Sequence, residues 1–95
     1  MNKYELAVVL SSAISDEERA AALEKVQDFI SRDGGTVLDV DDWGKKKLAY
    51  EIQKMSEAFY TFISFDAEPS VPAQVEENIR LMEQVLRFLC ISREE

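Results

Sequence analysis

The stretch Phe59-Tyr60-Thr61-Phe62-Ile63-Ser64-Phe65-Asp66-Ala67 decides the fold class of this 95-residue chain. It is rich in aromatic and β-branched residues, which favour strands, and neither glycine nor proline interrupts it. Side chains alternate between the two faces of a strand. One face is therefore predicted to carry Thr61, Ile63 and Phe65, and the other Tyr60, Phe62 and Ser64.

The residues before this stretch predict a strand followed by a helix. Tyr4–Leu10 alternates, with Leu6, Val8 and Leu10 on one face and Glu5, Ala7 and Val9 on the other. Ser15 and Glu18 have the spacing of a capping box, in which a hydroxyl and a carboxylate satisfy free backbone N–H groups. A helix is thus predicted to begin at Ser15 and to end at Gly34-Gly35, because glycine adopts the left-handed cap conformation easily.

A second strand is predicted over Thr36–Val40. The acidic and glycine-containing segment 41–44 is expected to interrupt this strand, with Gly44 at a bulge, before the alternation resumes at Leu48. Gln53–Ala58 is predicted to form a hairpin turn.

The last third of the chain predicts a short helix and a closing strand. Pro72 suits the first turn of a helix. Val85–Ser92 alternates, with Leu86, Phe88 and Cys90 facing one way and Arg87, Leu89 and Ile91 facing the other. An alternative remains open, in which the helix continues as far as Phe88.

The predicted order of elements is strand, helix, strand, strand, helix, strand. Right-handed crossovers then give a ferredoxin-like split βαβ fold, a four-stranded antiparallel sheet with both helices on one face. Residues 1–95 are expected to form one domain, and the sheet face away from the helices is expected to stay open. This superfold serves many functions and does not name one.

The composition excludes several kinds of chemistry. The chain has no histidine and a single cysteine, Cys90, so intrachain disulfides and zinc sites of paired cysteines are excluded, and the commonest general base is missing. We expect neither a cofactor nor a metal. The sequence shows neither a signal peptide nor an apolar run long enough to cross a membrane, so a cytoplasmic location is expected.

The charge pattern is uneven. The formal net charge is -8, which on average repels nucleic acid. Acidic residues crowd near positions 16–18, 39–42, 76–77 and 94–95. The basic residues outside the first helix are Lys3, Lys45, Lys46, Lys47, Lys54, Arg80, Arg87 and Arg93.

One segment resembles a known family signature. The segment Trp43-Gly44-Lys45-Lys46-Lys47-Leu48-Ala49-Tyr50-Glu51-Ile52 resembles the signature of the S6 family of bacterial ribosomal proteins, which is a glycine, basic residues and then Leu-Ala-Tyr-x-Ile. Further matches are Lys3-Tyr4-Glu5, Gly34-Gly35, Asn78-Ile79-Arg80 and Val85-Leu86-Arg87-Phe88, so the resemblance spans nearly the whole chain. The basic run is all lysine, where the family commonly has arginine, and Gln53 also departs from the family pattern.

The resemblance implies a structural role on the ribosome. Members of the family bind the central domain of small-subunit rRNA together with ribosomal protein S18, a small basic partner. On this basis we expect Arg80, Arg87 and Lys3 to contact phosphates, with the remaining basic residues named above supporting RNA or partner. A basic partner also reconciles an acidic chain with RNA binding.

The open face of the sheet is the predicted docking surface for that partner. Strand alternation places on it Val9, Tyr60, Phe62, Leu89 and Ile91. RNA-binding modules can stack bases on exposed aromatic residues such as Tyr60 and Phe62. No arginine closely flanks these two residues, so contact with a protein is the favoured interpretation. A folded-back tail or simple exposure are the alternatives.

Two other functions are compatible with the fold. A regulatory domain that binds small ligands needs glycine-rich loops or converging polar groups, whereas the three glycines here are explained by a helix end and a bulge. A hydrolase resembling acylphosphatase needs an anion cradle, but the segment 9–14 before the first helix contains neither glycine nor arginine.

Overall fold

The computed structural model describes residues 2–52 and 55–93. The elements are β1 (Asn2–Ser11), α1 (Asp16–Arg32), β2 (Thr36–Ile52), β3 (Met55–Ala67), α2 (Val71–Arg80) and β4 (Val85–Ser92). The order matches the prediction. The second helix ends at Arg80, so the alternative in which it continues to Phe88 is wrong, and the closing strand has the predicted bounds.

The four strands form one antiparallel sheet in the order β2-β3-β1-β4. One face packs against both helices and forms the core, in which Leu6, Val8, Ile63 and Phe65 are buried. The helices contribute buried residues to the same cluster, namely Ala22, Val26, Phe29, Ile30, Val71, Val75 and Ile79. This arrangement is the ferredoxin-like split βαβ fold.

The predicted ends of α1 are confirmed. The Ser15 hydroxyl accepts a hydrogen bond from the Glu18 backbone N–H at 3.2 Å, which satisfies one of the free donors of the first turn. Gly34 has a φ of 98°, a left-handed conformation that favours glycine, and its backbone N–H donates to the Ser31 carbonyl. Gly35 allows close packing, since a Cβ there would lie 2.7 Å from Ile30 Cγ2.

The β2–β3 hairpin is where the sequence prediction fails. The segment 41–44 does not interrupt β2, which runs without a break from Thr36 to Ile52, and Met55–Ala58 belongs to β3 rather than to a turn. A shift of register between Asp42 and Gly44, where Gly44 has a φ of 73°, confirms the predicted bulge. A bulge inserts one residue without ending a strand, so the acidic residues and the glycine fit within β2.

Candidate partner and nucleic-acid interface

The sheet face away from the helices, called the open face below, brings together all five residues predicted to bind the partner. The register pairs Val9 with Tyr60, and Ala7 with both Phe62 and Leu89. Ile91 lies two residues further along β4. Leu89 is 62% exposed and Ile91 43% exposed, whereas Val9, Tyr60 and Phe62 are half-buried. The predicted strand faces are therefore confirmed, and this face carries an uncovered apolar centre.

Trp43 extends the apolar centre toward the β2 edge, and the sequence prediction did not include it. Its ring centroid lies 4.7 Å from that of Phe62, and 52% of the residue is exposed. Two residues of β2, Trp43 and Gly44, span the bulge opposite Tyr60. The neighbouring glycine was the available signal, because a bulged residue departs from simple alternation.

The bulge is tied to α1 by an ion pair. Arg19 Nη1 lies 3.0 Å from Asp42 Oδ2, and the Gly44 backbone N–H donates to Asp42 Oδ1 at 2.9 Å. The Arg19 guanidinium also lies 4.4 Å from the centroid of the Phe59 ring, on the helix side of the sheet. These contacts hold the local backbone and so determine where Trp43 projects.

Two carboxylates precede Trp43 along the open face of β2. Asp41 pairs with Phe62 and Asp39 with Ser64, so both aspartates share the face of the apolar centre, and both are exposed. The Trp43 indole N–H donates to Asp41 Oδ2 at 2.8 Å. The open face is therefore acidic along the first half of the β2 edge, whereas Lys46, opposite Ala58, lies on the same face beyond the bulge.

The opposite edge of the sheet, at β4, is basic, with Arg87 on the open face and Arg80 on the helix side beside Phe88. Arg80, at the end of α2, and Arg87, on β4, line one cavity of about 640 Å³ together with Tyr60 and Leu89. Both arginines are exposed, and the Arg80 guanidinium lies 5.9 Å from the centroid of the Phe88 ring, which also lines the cavity. The chain thus joins two cations and two aromatic rings in one recess.

Lys3 and Arg93 extend this basic edge. The Arg93 backbone N–H donates to the Lys3 carbonyl at 2.7 Å, which places the two residues side by side. Arg93 Nη1 lies 3.0 Å from Glu5 Oε2, so an acidic neighbour offsets part of its charge. The charge of Arg93 is consequently less available to an anion than the sequence pattern alone indicates.

The lysine triplet does not act as one basic loop. Lys45, Lys46 and Lys47 lie on β2, opposite Phe59, Ala58 and Glu57. Neighbouring strand residues point to opposite faces, and Lys45 Nζ lies 5.5 Å from the Phe59 ring centroid, on the helix side. The triplet is therefore part of a strand, and the support that these lysines give to RNA or partner stays a prediction. Lys54, the remaining predicted contact, lies outside the described residues.

Cys90 lies on β4, opposite Leu6, and packs against the core. Burial, followed by the nearby negative charge of Glu76, raises the pKa of its thiol from 9.0 to about 11. A thiol that stays protonated at neutral pH is a poor nucleophile.

The described residues offer neither a metal site nor a membrane-spanning helix. Within residues 2–52 and 55–93, no group of three or more cysteine, aspartate or glutamate side chains could hold a metal ion. None of the helices in this part of the chain is long and apolar enough to cross a membrane.

The fold and its surface define a ferredoxin-like α+β protein with an uncovered apolar sheet face between an acidic and a basic edge. A family model described as ribosomal protein S6 matches residues 3–92. The chain belongs to the ribosomal protein S6 family of the small ribosomal subunit.

Individual relatives agree with this assignment. The chain is 39% identical to small ribosomal subunit protein bS6 of Clostridium novyi and 40% identical to that of Alkaliphilus oremlandii, each over 94 residues and 99% of both chains. The crystal structure of 30S ribosomal protein S6 from Thermotoga maritima matches with a TM-score of 0.93 and 28% identity, covering 97% of this chain and 87% of that one.

One further solved structure shares the fold alone. The P2 domain of the chemotaxis kinase CheA from Thermotoga maritima, solved in complex with the response regulator CheY, matches with a TM-score of 0.58 at 10% identity. That likeness covers 97% of this chain and 98% of the other chain.

Proposed function

We propose that this chain is a structural, non-enzymatic component of the bacterial small ribosomal subunit that binds the central domain of its rRNA jointly with ribosomal protein S18. The family membership supports the ribosomal role and, with that role, a location on the ribosome in the cytoplasm. One observation supports the assignment of rRNA and S18 to different parts of the surface. A single sheet face has an apolar centre, a basic edge at β4 and an acidic edge at β2.

The basic edge is the proposed RNA contact. Arg80 and Arg87 converge on one cavity, and Lys3 and Arg93 continue the edge along β1 and β4. Cations that contact phosphate release condensed counterions, which makes RNA affinity depend on salt. The lysines of β2 and Lys54 contribute as secondary contacts to RNA or to the partner.

The apolar centre is the proposed docking surface for S18. Leu89 and Ile91 project from β4, and Phe62 packs under Trp43. Burying one such side chain contributes roughly 1.5–3 kcal/mol relative to full exposure, so a handful of them can stabilise a specific complex. The carboxylates at the β2 edge complement a basic partner and disfavour RNA at that edge.

The RNA contact is tested by the salt dependence of binding. A fragment of the rRNA central domain is titrated in the presence of S18, with Arg87→Gln compared against Lys25→Gln, an equal change of charge at an exposed position on α1. Arg87→Gln is expected to lower the slope of log affinity against log salt by about 0.7–0.9, the contribution of one phosphate contact. Lys25→Gln is expected to leave the slope unchanged. Equal slopes for wild type and Arg87→Gln would contradict the assignment.

Joint binding is tested by linkage. If S18 raises the affinity of the chain for the rRNA fragment, the fragment must raise its affinity for S18 by the same factor. The chain alone is expected to bind the fragment weakly at physiological salt, and Phe62→Ser with Leu89→Ser is expected to abolish the effect of S18. Tight, specific binding by the isolated chain would refute the joint mode.

A further inference from the structure

We propose that Trp43, Asp39 and Asp41 form a receptor for an arginine side chain presented by the basic protein partner. This inference rests on the proposed function and adds to it the residues and the chemistry by which the β2 edge recognises that partner. The occupant is a segment of a basic protein, and the recognised group is a guanidinium.

The first argument is the fixed position of the indole. Trp43 rests on Phe62, and its N–H is held by Asp41 at 2.8 Å, yet half of the residue is exposed. The bulge beneath it is held by Asp42, which binds both Arg19 and the Gly44 backbone. An aromatic ring held in place from two sides loses little conformational entropy when a ligand stacks on it.

The second argument is the negative charge on the strand that leads to the ring. Asp39 and Asp41 are two residues apart on the same strand face, which separates their Cα atoms by about 6–7 Å. Among the described residues, neither carboxylate forms an ion pair with a lysine or arginine of this chain. The nearby Arg19 is engaged on the helix side by Asp42 and Phe59. The site therefore presents negative charge that the described part of the chain does not neutralise.

The third argument is the match to guanidinium chemistry. A guanidinium is planar, stacks on aromatic faces and pairs with carboxylates through a fork of N–H donors. Tryptophan is the aromatic residue that attracts cations most strongly. A phosphate group would meet two carboxylates here, so RNA is disfavoured at this position. Continuity with the apolar centre, through the contact of Trp43 with Phe62, places the receptor within the proposed S18 docking surface.

The single tryptophan of the chain makes the receptor directly observable. S18 is titrated into the full chain while calorimetry measures affinity and stoichiometry and fluorescence reports the environment of Trp43. Three forms are compared, namely wild type, Asp39→Asn with Asp41→Asn, and the control Glu24→Gln with Asp28→Asn. The control removes the same charge from exposed positions on α1. Urea unfolding verifies that each form is folded, and Trp43→Leu tests the ring separately.

The expected result has two parts. The Trp43 emission changes and saturates at the calorimetric stoichiometry, and the Asp39 and Asp41 double variant binds S18 at least about tenfold more weakly than the control. Trp43→Leu also weakens binding, because leucine keeps apolar contact but has no π face.

Three outcomes would overturn the inference. If S18 binds both double variants equally and the emission does not move, the receptor is refuted while the proposed partnership stands. If the emission responds to the rRNA fragment alone and not to S18, the surface is an RNA contact. If S18 binds none of the forms, both the receptor and the partner role under the proposed function fall.

Discussion

Leu6 and Leu89 test the two faces of the sheet with the same substitution. Leu6 is fully buried between the sheet and the helices, whereas Leu89 is 62% exposed on the open face. Replacing a buried leucine by alanine removes its transfer free energy and leaves a cavity, at a cost of about 2–5 kcal/mol. Leu89 has about two fifths of its surface buried, so Leu89→Ala is expected to cost about 0.6–1.2 kcal/mol, scaled from full burial.

Equilibrium unfolding in urea measures both free energies. In a domain of this size 1 kcal/mol shifts the melting temperature by about 4–8 °C, so thermal melts separate the two variants as well. The dependence of the free energy on urea should be unchanged, since neither substitution alters the surface exposed on unfolding by much. The effect on S18 affinity should be the reverse of the effect on stability. Leu89→Ala should weaken S18 binding, whereas folded Leu6→Ala should bind S18 as the wild type does. Equal destabilisation by the two substitutions would show that the open face is covered in the isolated chain.

Two further predictions concern buried polar groups. Thr61→Val is expected to stabilise the fold by about 1 kcal/mol in urea unfolding, because the fully buried Thr61 hydroxyl has no hydrogen-bond partner among the described residues; a destabilised variant would reveal a partner for the hydroxyl. Native alkylation of Cys90 is expected to keep accelerating up to about pH 11, whereas alkylation of the urea-unfolded chain should level off near pH 9.0. Because the unfolded thiol loses its proton first, the free energy of unfolding should fall as pH rises through that window; coincident profiles would contradict the raised pKa.

The fold was predictable because most elements have local signals that agree with their tertiary environment. Phe59–Ala67 alternates strictly, and the face with Ile63 and Phe65 is the face that the core buries. The N-cap of α1 at Ser15 and its end before Gly34 depend on interactions within a few residues, so the sequence alone specifies both. Agreement between local preference and global fold is typical of natural sequences.

The hairpin was harder because the composition around Gly44 fits a bulge within a strand and also an interruption of the strand. The segment before Gly44 reads as a turn, since aspartate and glycine favour turns. In the sheet, Asp42 instead bonds Arg19 from a different element, which holds those residues in a strand. Each bulge also reverses the faces assigned to the residues that follow it, so alternation alone does not assign Trp43 to the open face.

The candidate site was predictable where it depends on strand faces and unpredictable where it depends on distant neighbours. The five apolar residues of the open face follow from alternation alone. The convergence of Arg80 with Arg87 depends on how α2 leads into β4, and the pairing of Arg93 with Glu5 joins the two ends of the chain. Such long-range pairs leave no mark in the local sequence pattern.

The net charge of -8 is a poor guide to binding because the sheet separates charges of opposite sign. The outer strands β2 and β4 lie three strand spacings apart, or about 14 Å. The Debye length at physiological ionic strength is about 8 Å, so the aspartates of β2 act weakly on an anion at β4. At 0.01 M salt the length grows to about 30 Å, and the whole acidic chain then repels the RNA.

The coupling between S18 binding and RNA binding should also depend on the separation of the two sheet edges relative to the Debye length. If S18 aids RNA binding by neutralising the acidic edge across the sheet, the coupling must shrink as ionic strength rises, because screening removes the repulsion that S18 relieves. If S18 itself touches the RNA beside Arg87, their contact makes the coupling persist at physiological salt. The apolar centre lies between the two edges, so a partner docked on Leu89 and Ile91 reaches the basic edge. The geometry therefore favours direct contact between the partner and the RNA over action through the field of the chain.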